Sequence, residues 1–255
     1  MADTWIMSTT NKPQSALQMF DEGTVTHSCW SCGDMRAAHF CDSCGKLQPA
    51  LPADYFTFFG LPRKLNLDTA ALEREFYKLS RQLHPDLYAR ASGQEQRWSL
   101  EKSSQLNDAY RTLRDPITRT QYLLKLQGVQ LEEQSKAATD KARQTGEEKK
   151  QVIPPELLEE VFELNMQLEE ARMNKKMGER DPELLREVEG TRDHLQSKHD
   201  ALMDELRGYW NEWDALPEDA DEAQRKPVRD KMVGLLNRRS YIRNLVRDVN
   251  EVLEV

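Results

Sequence analysis

Three observations on the 255 residues predict an all-α protein built from small helical modules. Hydrophobic residues make up 38% and charged residues 31%, too few apolar side chains for one thick globule but enough for helices with narrow apolar stripes. Eleven Gly and eleven Pro are few for a many-turned β fold or a long disordered chain. Where apolar residues recur, they do so at helical spacing. No run approaches the roughly 18 uncharged apolar residues of a membrane-spanning helix, which excludes an integral helical membrane protein. A net charge of −8 and a pI near 5.3 speak against a nucleic-acid coat. Residues 1–26 lack a basic stretch followed by an apolar one, so no secretory signal is read. Asp3, Asp21 and Glu22, with no Arg in this stretch, argue against an organelle transit peptide. The expected location is cytoplasmic.

Five parts follow in order. Residues 1–28 are a polar tail. Residues 29–53 hold all four cysteines and end in Gln48-Pro49-Ala50-Leu51-Pro52, which reads as a linker. Residues 54–126 form a helical unit. Residues 127–151 are linker-like, and between Gln134 and Gln151 the only hydrophobic-class residues are three alanines. Residues 152–255 read as long amphipathic helices. Charge is uneven: 54–126 carries twelve Lys/Arg against nine Asp/Glu, leaving 24 basic and 35 acidic residues elsewhere. A mildly basic unit sits on an acidic body.

The cysteine module is Cys29-Trp30-Ser31-Cys32, eight intervening residues, then Cys41-Asp42-Ser43-Cys44. Each Cys-x-x-Cys brings two thiolates to one side of a tight turn. Gly33 and Gly45 follow the pairs and permit the positive φ that such knuckles require. Two facing knuckles make a closed four-sulfur site that suits structural zinc. A closed site has no open position for substrate, so its role is to fold a segment too small for its own core. Such metal binding is worth roughly 10–16 kcal/mol. Iron in the same four sulfurs and a reversible thiol switch are the alternatives. His27 and His39 flank the cluster and either could replace a cysteine, though four thiolates suffice. Trp30 and Phe40 are expected to cover the metal site.

In 54–126, Asp68 is a candidate N-cap for a helix with Leu72, Phe76, Leu79 and Leu83 on one face. Arg74, Lys78 and Arg81 repeat on the opposite face as a cationic stripe. Pro85 pushes His84 out of the helical region, so the helix ends at His84-Pro85-Asp86. A second helix is predicted from near Gln94, with Leu106, Ala109, Tyr110 and Leu113 inward. Asp115-Pro116 stops it and starts a shorter one through Tyr122, Leu123 and Leu126. Asp54-Tyr55-Phe56-Thr57-Phe58-Phe59-Gly60 supplies an aromatic first turn. The result is an antiparallel hairpin carrying His84-Pro85-Asp86 at its exposed tip. The chain has no phosphate-cradling glycine loop and no nucleophile motif, so no enzyme is read.

This unit resembles the J-domain of co-chaperones of DnaK-type heat-shock-70 ATPases. The resemblance runs through Tyr55-Phe56, the helix before His84, the tripeptide, Asn107-Asp108-Ala109-Tyr110, Leu113, Pro116, Arg119 and Tyr122. It implies that His84, Pro85 and Asp86 engage the ATPase and stimulate hydrolysis. The stripe Arg74, Lys78 and Arg81 steers onto an acidic partner surface, and Asp86 can pair with a partner arginine. The chemistry stays in the partner.

In 152–255, Pro154-Pro155-Glu156 opens a helix with two stripes. Leu157, Val161, Leu164, Leu168 and Ala171 form one. Leu158, Phe162, Met166 and Met173 form the other, rotated by roughly 100–180°. One stripe serves a bundle; the second meets a partner or is buried inside the protein. Asp181-Pro182 starts a helix with Val188, Leu195, Leu202, Leu206, Tyr209 or Trp210, and Trp213 near heptad spacing. The last helix carries Val228, Met232, Leu235, Ile242, Val246 or Leu245, Val249 and Leu253, with Pro227 at its start or at a kink. An antiparallel three-helix bundle is predicted.

The order of a J-domain followed by a helical bundle is similar to HscB-type co-chaperones of iron–sulfur cluster assembly. The double Cys-x-x-Cys before Asp54-Tyr55-Phe56 resembles the zinc-bearing subgroup of that family. Arg119, Tyr122-Leu123-Leu124-Lys125-Leu126 and Gly128 resemble its J-domain exit. The resemblance implies an HscA-like DnaK-type partner and an IscU-like iron–sulfur scaffold bound by the first bundle helix, where Leu158, Phe162 and Glu163 fall on matching positions and Met166 extends the face. Glu159 stands where the family usually has Met or Leu, and Met166 where it often has Glu. No nucleic-acid or membrane partner is implied. The rival readings are a general J-protein for unfolded clients, against which the lack of a Gly/Phe-rich or β-rich client region counts, and a zinc-knuckle nucleic-acid adaptor with steep salt dependence. The segment 134–151 reads as an insertion without an assigned role.

Overall fold

The computed structural model describes residues 28–34, 39–50, 52–129, 157–179 and 181–253. His27, the 134–151 insertion and Pro154-Pro155-Glu156 lie outside them. Seven helices follow one another among the described residues: α1 (Tyr55–Phe58), α2 (Thr69–Leu83), α3 (Gly93–Arg114), α4 (Pro116–Leu126), α5 (Leu158–Met177), α6 (Pro182–Asp214) and α7 (Glu222–Leu253), with a 3-10 turn at Pro85–Tyr88. No strand occurs among these residues, only an isolated bridge between Phe40 and Leu47. None of their helices is long and apolar enough to cross a membrane.

Aspartates start most of these helices, because the first N–H groups of a helix lack partners and a short carboxylate reaches them. Asp54 accepts from Phe56 and Thr57, Asp68 from Ala70 and Ala71, Asp115 from Ile117 and Thr118 and Asp181 from Glu183 and Leu184. Pro116 and Pro182 each follow their cap, where a missing N–H costs nothing. Helix α3 starts at Gly93 with a capping box: Ser92 Oγ donates to Glu95 Oε2 at 2.8 Å and accepts the Glu95 N–H at 3.3 Å. Asp221 and Gln224 make the equivalent box at α7. Pro227 therefore lies inside α7, five residues after its start at Glu222, and does not mark the helix start.

The packing divides the chain into two compact units. One draws on the described residues within Met1–Ala53 and Ser80–Gln105, the other on those within Asp54–Leu79 and Leu106–Val255.

The first unit joins the cysteine module to the end of the α2–α3 hairpin. Trp30 and Trp98 meet edge-on, with ring centroids 5.7 Å apart. Gln105 donates to the Ala53 carbonyl at 3.3 Å. Gln48, at the head of the stretch that reads as a linker, is instead buried inside the module.

The second unit holds the base of the hairpin, α4 and the C-terminal helices. Phe76 stacks on Tyr110 at 4.1 Å, and Tyr55 stacks on Tyr122 at 4.4 Å. Helices α6 and α7 pack along their length, and α5 packs against both. The pairs Glu212–Lys231 and Glu205–Arg238 run in opposite directions along α6 and α7. So do Glu160–Lys198 and Gln167–Glu187 along α5 and α6. Helices consecutive in the chain, α5 with α6 and α6 with α7, are thus antiparallel. Val188, Leu195, Leu202, Leu206 and Trp213 line the seam, and of the open choices Trp210 and Leu245 are the buried members. At the last turn Val252 is buried and Leu253 half-buried, which shifts the inner face by one residue.

The bundle is fastened to the hairpin base. Asp214, the last residue of α6, accepts from the Leu65 N–H at 2.7 Å and from the Asn66 N–H and side-chain amide at 2.8 Å each. Trp210 donates to Thr120 at 3.0 Å. Buried Arg119 donates to the Leu113 carbonyl at 2.6 Å and holds its guanidinium 5.0 Å from the Trp210 ring centre.

Candidate functional site

The tripeptide sits at a bend. Helix α2 ends at Leu83, and His84 takes φ −58°, ψ 129°, the extended region that a following proline enforces. Pro85 then opens the 3-10 turn at a position where its missing N–H costs nothing. His84 Nδ1 accepts the Asp86 N–H at 3.2 Å and lies 3.5 Å from Asp86 Oδ2. That local pair orients the imidazole while leaving it in water: the side chains of His84 and Asp86 are 55% and 89% exposed. An arrangement that presents an imidazole and a carboxylate so fully is suited to a partner, because neither group serves the core.

Arg74, Lys78 and Arg81 are exposed along α2, and the helical repeat sets them on the face away from Leu72 and Leu79. Arg74 Nη2 is 3.9 Å from Asp68, and Lys78 is 3.1 Å from Glu75. Such solvent-exposed pairs are weak and exchange readily for a partner carboxylate.

The four cysteines form two matching knuckles. In each, the glycine N–H returns to the carbonyl of the first cysteine, Gly33 to Cys29 at 2.9 Å and Gly45 to Cys41 at 2.8 Å. The glycines take φ of 79° and 68°, a region that strains residues with a Cβ. The first cysteine of each pair donates its N–H to the residue five positions on, Cys29 to Asp34 and Cys41 to Lys46. The sulfur of Cys29 lies 3.6 Å from that of Cys44, and Cys32 from Cys41 by the same distance. All four lie within 4.8 Å of one another. A tetrahedral ion with metal–sulfur bonds of about 2.3 Å requires sulfur separations of about 3.8 Å, so the donor set fits such an ion.

The thiols differ. Burial works against the Cys29 thiolate, but the N–H groups of Cys32 and Ser31 and the Gln48 amide outweigh it and lower its pKa to about 6. The Asp34 N–H favours the Cys32 thiolate, while the crowded thiols of Cys41, Cys29 and Cys44 and burial push it up to about 12. Four sulfurs this close ionise together only around a cation. His39 Nδ1 faces Lys102 Nζ at 3.3 Å, and the set of four thiols is complete without it. Burial pushes the Lys102 ammonium down to about 8. Trp30 donates to the Leu47 carbonyl at 2.8 Å and stays partly exposed, so it fastens the module.

On α5 and the residue just before it the two stripes separate cleanly. Leu157, Val161, Leu164, Leu168 and Ala171 are buried, whereas Leu158, Phe162, Met166 and Met173 are 57%, 69%, 61% and 63% exposed. The second stripe is therefore not buried within the protein. Glu163 is exposed beside it. A row of large apolar side chains this open on one helix face is more than scattered surface apolar residues require.

Sequence reasoning missed Gln48, Glu95 and Asp214. Gln48 Nε2 donates to Cys29 Sγ at 3.3 Å and to the Lys46 carbonyl at 2.8 Å, and nothing local announces that. Glu95 had a readable signal, the Ser92-x-x-Glu95 capping pattern. Asp214 binds residues nearly 150 positions away, beyond any local signal.

The DnaJ domain family matches residues 54–122. The mouse iron-sulfur cluster co-chaperone protein HscB is 33% identical over 162 residues, covering 61% of this chain and 63% of its own length. The Arabidopsis thaliana homologue is 32% identical over 180 residues, covering 65% and 66%. The human HscB is 32% identical over 174 residues, covering 66% and 68%. The matches thus span about two thirds of these relatives. Among solved structures, human co-chaperone protein HscB superposes with a TM-score of 0.58 at 23% identity, covering 88% of this chain and 98% of that one. HscB from Vibrio cholerae gives 0.51 at 24%, covering 79% and 98%. These structural likenesses show a shared fold.

Proposed function

The chain belongs to the HscB family of iron–sulfur cluster co-chaperones, and on that premise we propose that it stimulates a DnaK-type, HscA-like ATPase while presenting an IscU-like iron–sulfur scaffold protein to it. In this reading 54–126 is the J-domain, 152–255 the scaffold-binding bundle and 29–53 a zinc-bearing module. His84, Pro85 and Asp86 engage the ATPase, with Arg74, Lys78 and Arg81 steering the encounter. Leu158, Phe162, Glu163 and Met166 contact the scaffold. Zinc is structural: Cys29, Cys32, Cys41 and Cys44 supply four thiolates and leave no position for a substrate. The protein turns over nothing itself; hydrolysis takes place in the partner. A reducing, cytoplasmic setting suits four free thiols held for a metal.

The observation that carries this reading is the exposure of His84 and Asp86 at a bend, with their side chains 55% and 89% open. Neither group holds the fold, so a partner is what they serve. His84→Gln should abolish stimulation of the DnaK-type ATPase, measured as steady-state phosphate release, while leaving the far-ultraviolet circular dichroism unchanged. Stimulation equal to wild type would overturn the assignment.

A further inference from the structure

We propose that the cysteine module is a brace on the His84-Pro85-Asp86 turn, so that metal loading of the four cysteines fixes the turn and metal loss loosens it. The proposal rests on the reading of that turn as the element that engages the ATPase.

The brace acts through α3. Glu95, Trp98, Lys102 and Gln105 lie at i, i+3, i+7 and i+10, one face of the helix. Each meets the module: Lys46 Nζ lies 3.4 Å from Glu95 Oε1, Trp30 meets Trp98 edge-on at 5.7 Å, His39 Nδ1 faces Lys102 at 3.3 Å, and Ala53 accepts from Gln105 at 3.3 Å. On the adjoining face, Ser99 and Ser103 donate to the Leu83 carbonyl at 2.7 and 2.9 Å. Leu83 is the last residue of α2 and the one before His84. A carbonyl at a helix C-terminus lacks its intrahelical partner; here two hydroxyls of α3 supply it. One stretch of α3 is therefore held by the module on one side and holds the root of the tripeptide on the other.

Glu95 tightens the link. The carboxylate that pairs with Lys46 also closes the first turn of α3 through Ser92, and Ser92 and Lys46 together outweigh burial and hold its pKa below the usual carboxylate range. The module has little core of its own. Among its described residues the buried apolar side chains are Cys29, Cys41 and Leu47, so without metal it lacks the means to stay folded. Lys46, Trp30 and His39 then leave α3 together, and Leu83 depends on a helix end with fewer supports.

Amide hydrogen exchange on the full chain tests this. Three samples are compared: zinc-loaded wild type, wild type stripped with a chelator, and zinc-loaded Lys46→Ala/Trp30→Ala checked to retain one zinc per chain. The Leu87 N–H on the His84 carbonyl and the Gln96 N–H on the Ser92 carbonyl, both at 3.0 Å, report on the turn and on the start of α3. We expect at least tenfold faster exchange at both in the stripped protein, several-fold faster exchange in the double variant, and unchanged exchange in α6 and α7. Unchanged exchange over residues 84–96 in the stripped protein overturns the brace. Equal acceleration throughout α6 and α7 also overturns it, because the loss would then be global. In parallel, the concentration giving half-maximal stimulation of the DnaK-type ATPase should rise several-fold in both altered samples. Absence of stimulation by the loaded wild type would sink the co-chaperone reading instead, and the exchange data would still decide the brace.

Discussion

Leu158→Ala combined with Phe162→Ala should separate partner binding from folding. The two side chains are 57% and 69% exposed, so well over half of each touches only water. Full burial of a Leu or Phe side chain is worth about 1.5–3 kcal/mol. A scaffold protein covering the open part would gain ~1–2 kcal/mol from each. Removing both should then cost ~2–4 kcal/mol of binding, about 30- to 1,000-fold in Kd. Folding stability should fall by less than ~1 kcal/mol, as surface substitutions usually change it by about 0.5 kcal/mol or less each. The neighbouring residue gives the contrast. Leu157 is 2% exposed, and Leu157→Ala should cost ~2–5 kcal/mol of stability through the cavity it leaves. Titration calorimetry against an IscU-type scaffold measures the first effect, and urea denaturation measures the second. Scaffold affinity within twofold of wild type in the double variant would refute the argument, as would a stability loss as large as that of Leu157→Ala.

Two further outcomes bear on the frame that holds these surfaces. Burial favours the neutral acid of Asp54, but Arg63 at 2.9 Å and the Thr57 N–H and hydroxyl outweigh it and hold the carboxyl below its ordinary value. A folded-state pKa below the unfolded one stabilises fully above the unfolded value near 3.9 and is lost as pH falls through the folded value. Asp54→Asn should therefore cost on the order of 1 kcal/mol at neutral pH, and the gap in thermal unfolding should close in acid; a gap that widens in acid would contradict the sign. Asp214→Ala removes an acceptor of three donors, worth ~2–4 kcal/mol in total for charge-assisted bonds at a part-buried site. At ~2–4 °C per kcal/mol for a chain of this size, Tm should drop by roughly 4–16 °C, and a drop under about 1 °C would show that Asp214 does not fasten the hairpin base.

Much of the fold follows from short-range chemistry. Asp68, Asp115 and Asp181 announce their helices because a cap needs only the N–H groups two and three positions on. Pro85 ends α2 through a clash with its own neighbour. The thiol spacing of 29–44 announces a cluster able to hold a metal ion because each Cys-x-x-Cys with its trailing glycine is a complete local unit. Periodicity sorted α5 into two stripes but could not say which one water would keep. It also left Tyr209 against Trp210 and Val246 against Leu245 open, since one position is only about 100° of helix rotation and a neighbouring helix decides which side chain turns inward.

What the sequence by itself determined is therefore the set of elements and their local chemistry: helices and their caps, two thiol knuckles, a proline-enforced bend bearing His84 and Asp86. Tertiary structure alone decided that α5 keeps Leu158 and Phe162 open to water, that Asp214 reaches back to Leu65 and Asn66, and that the cysteine module rests on α3. The reason is range. A cap, a knuckle or a bend is satisfied by atoms within a few residues. An exposed face or a long-range hydrogen bond depends on which distant surface arrives beside it, and no short window of sequence contains that surface.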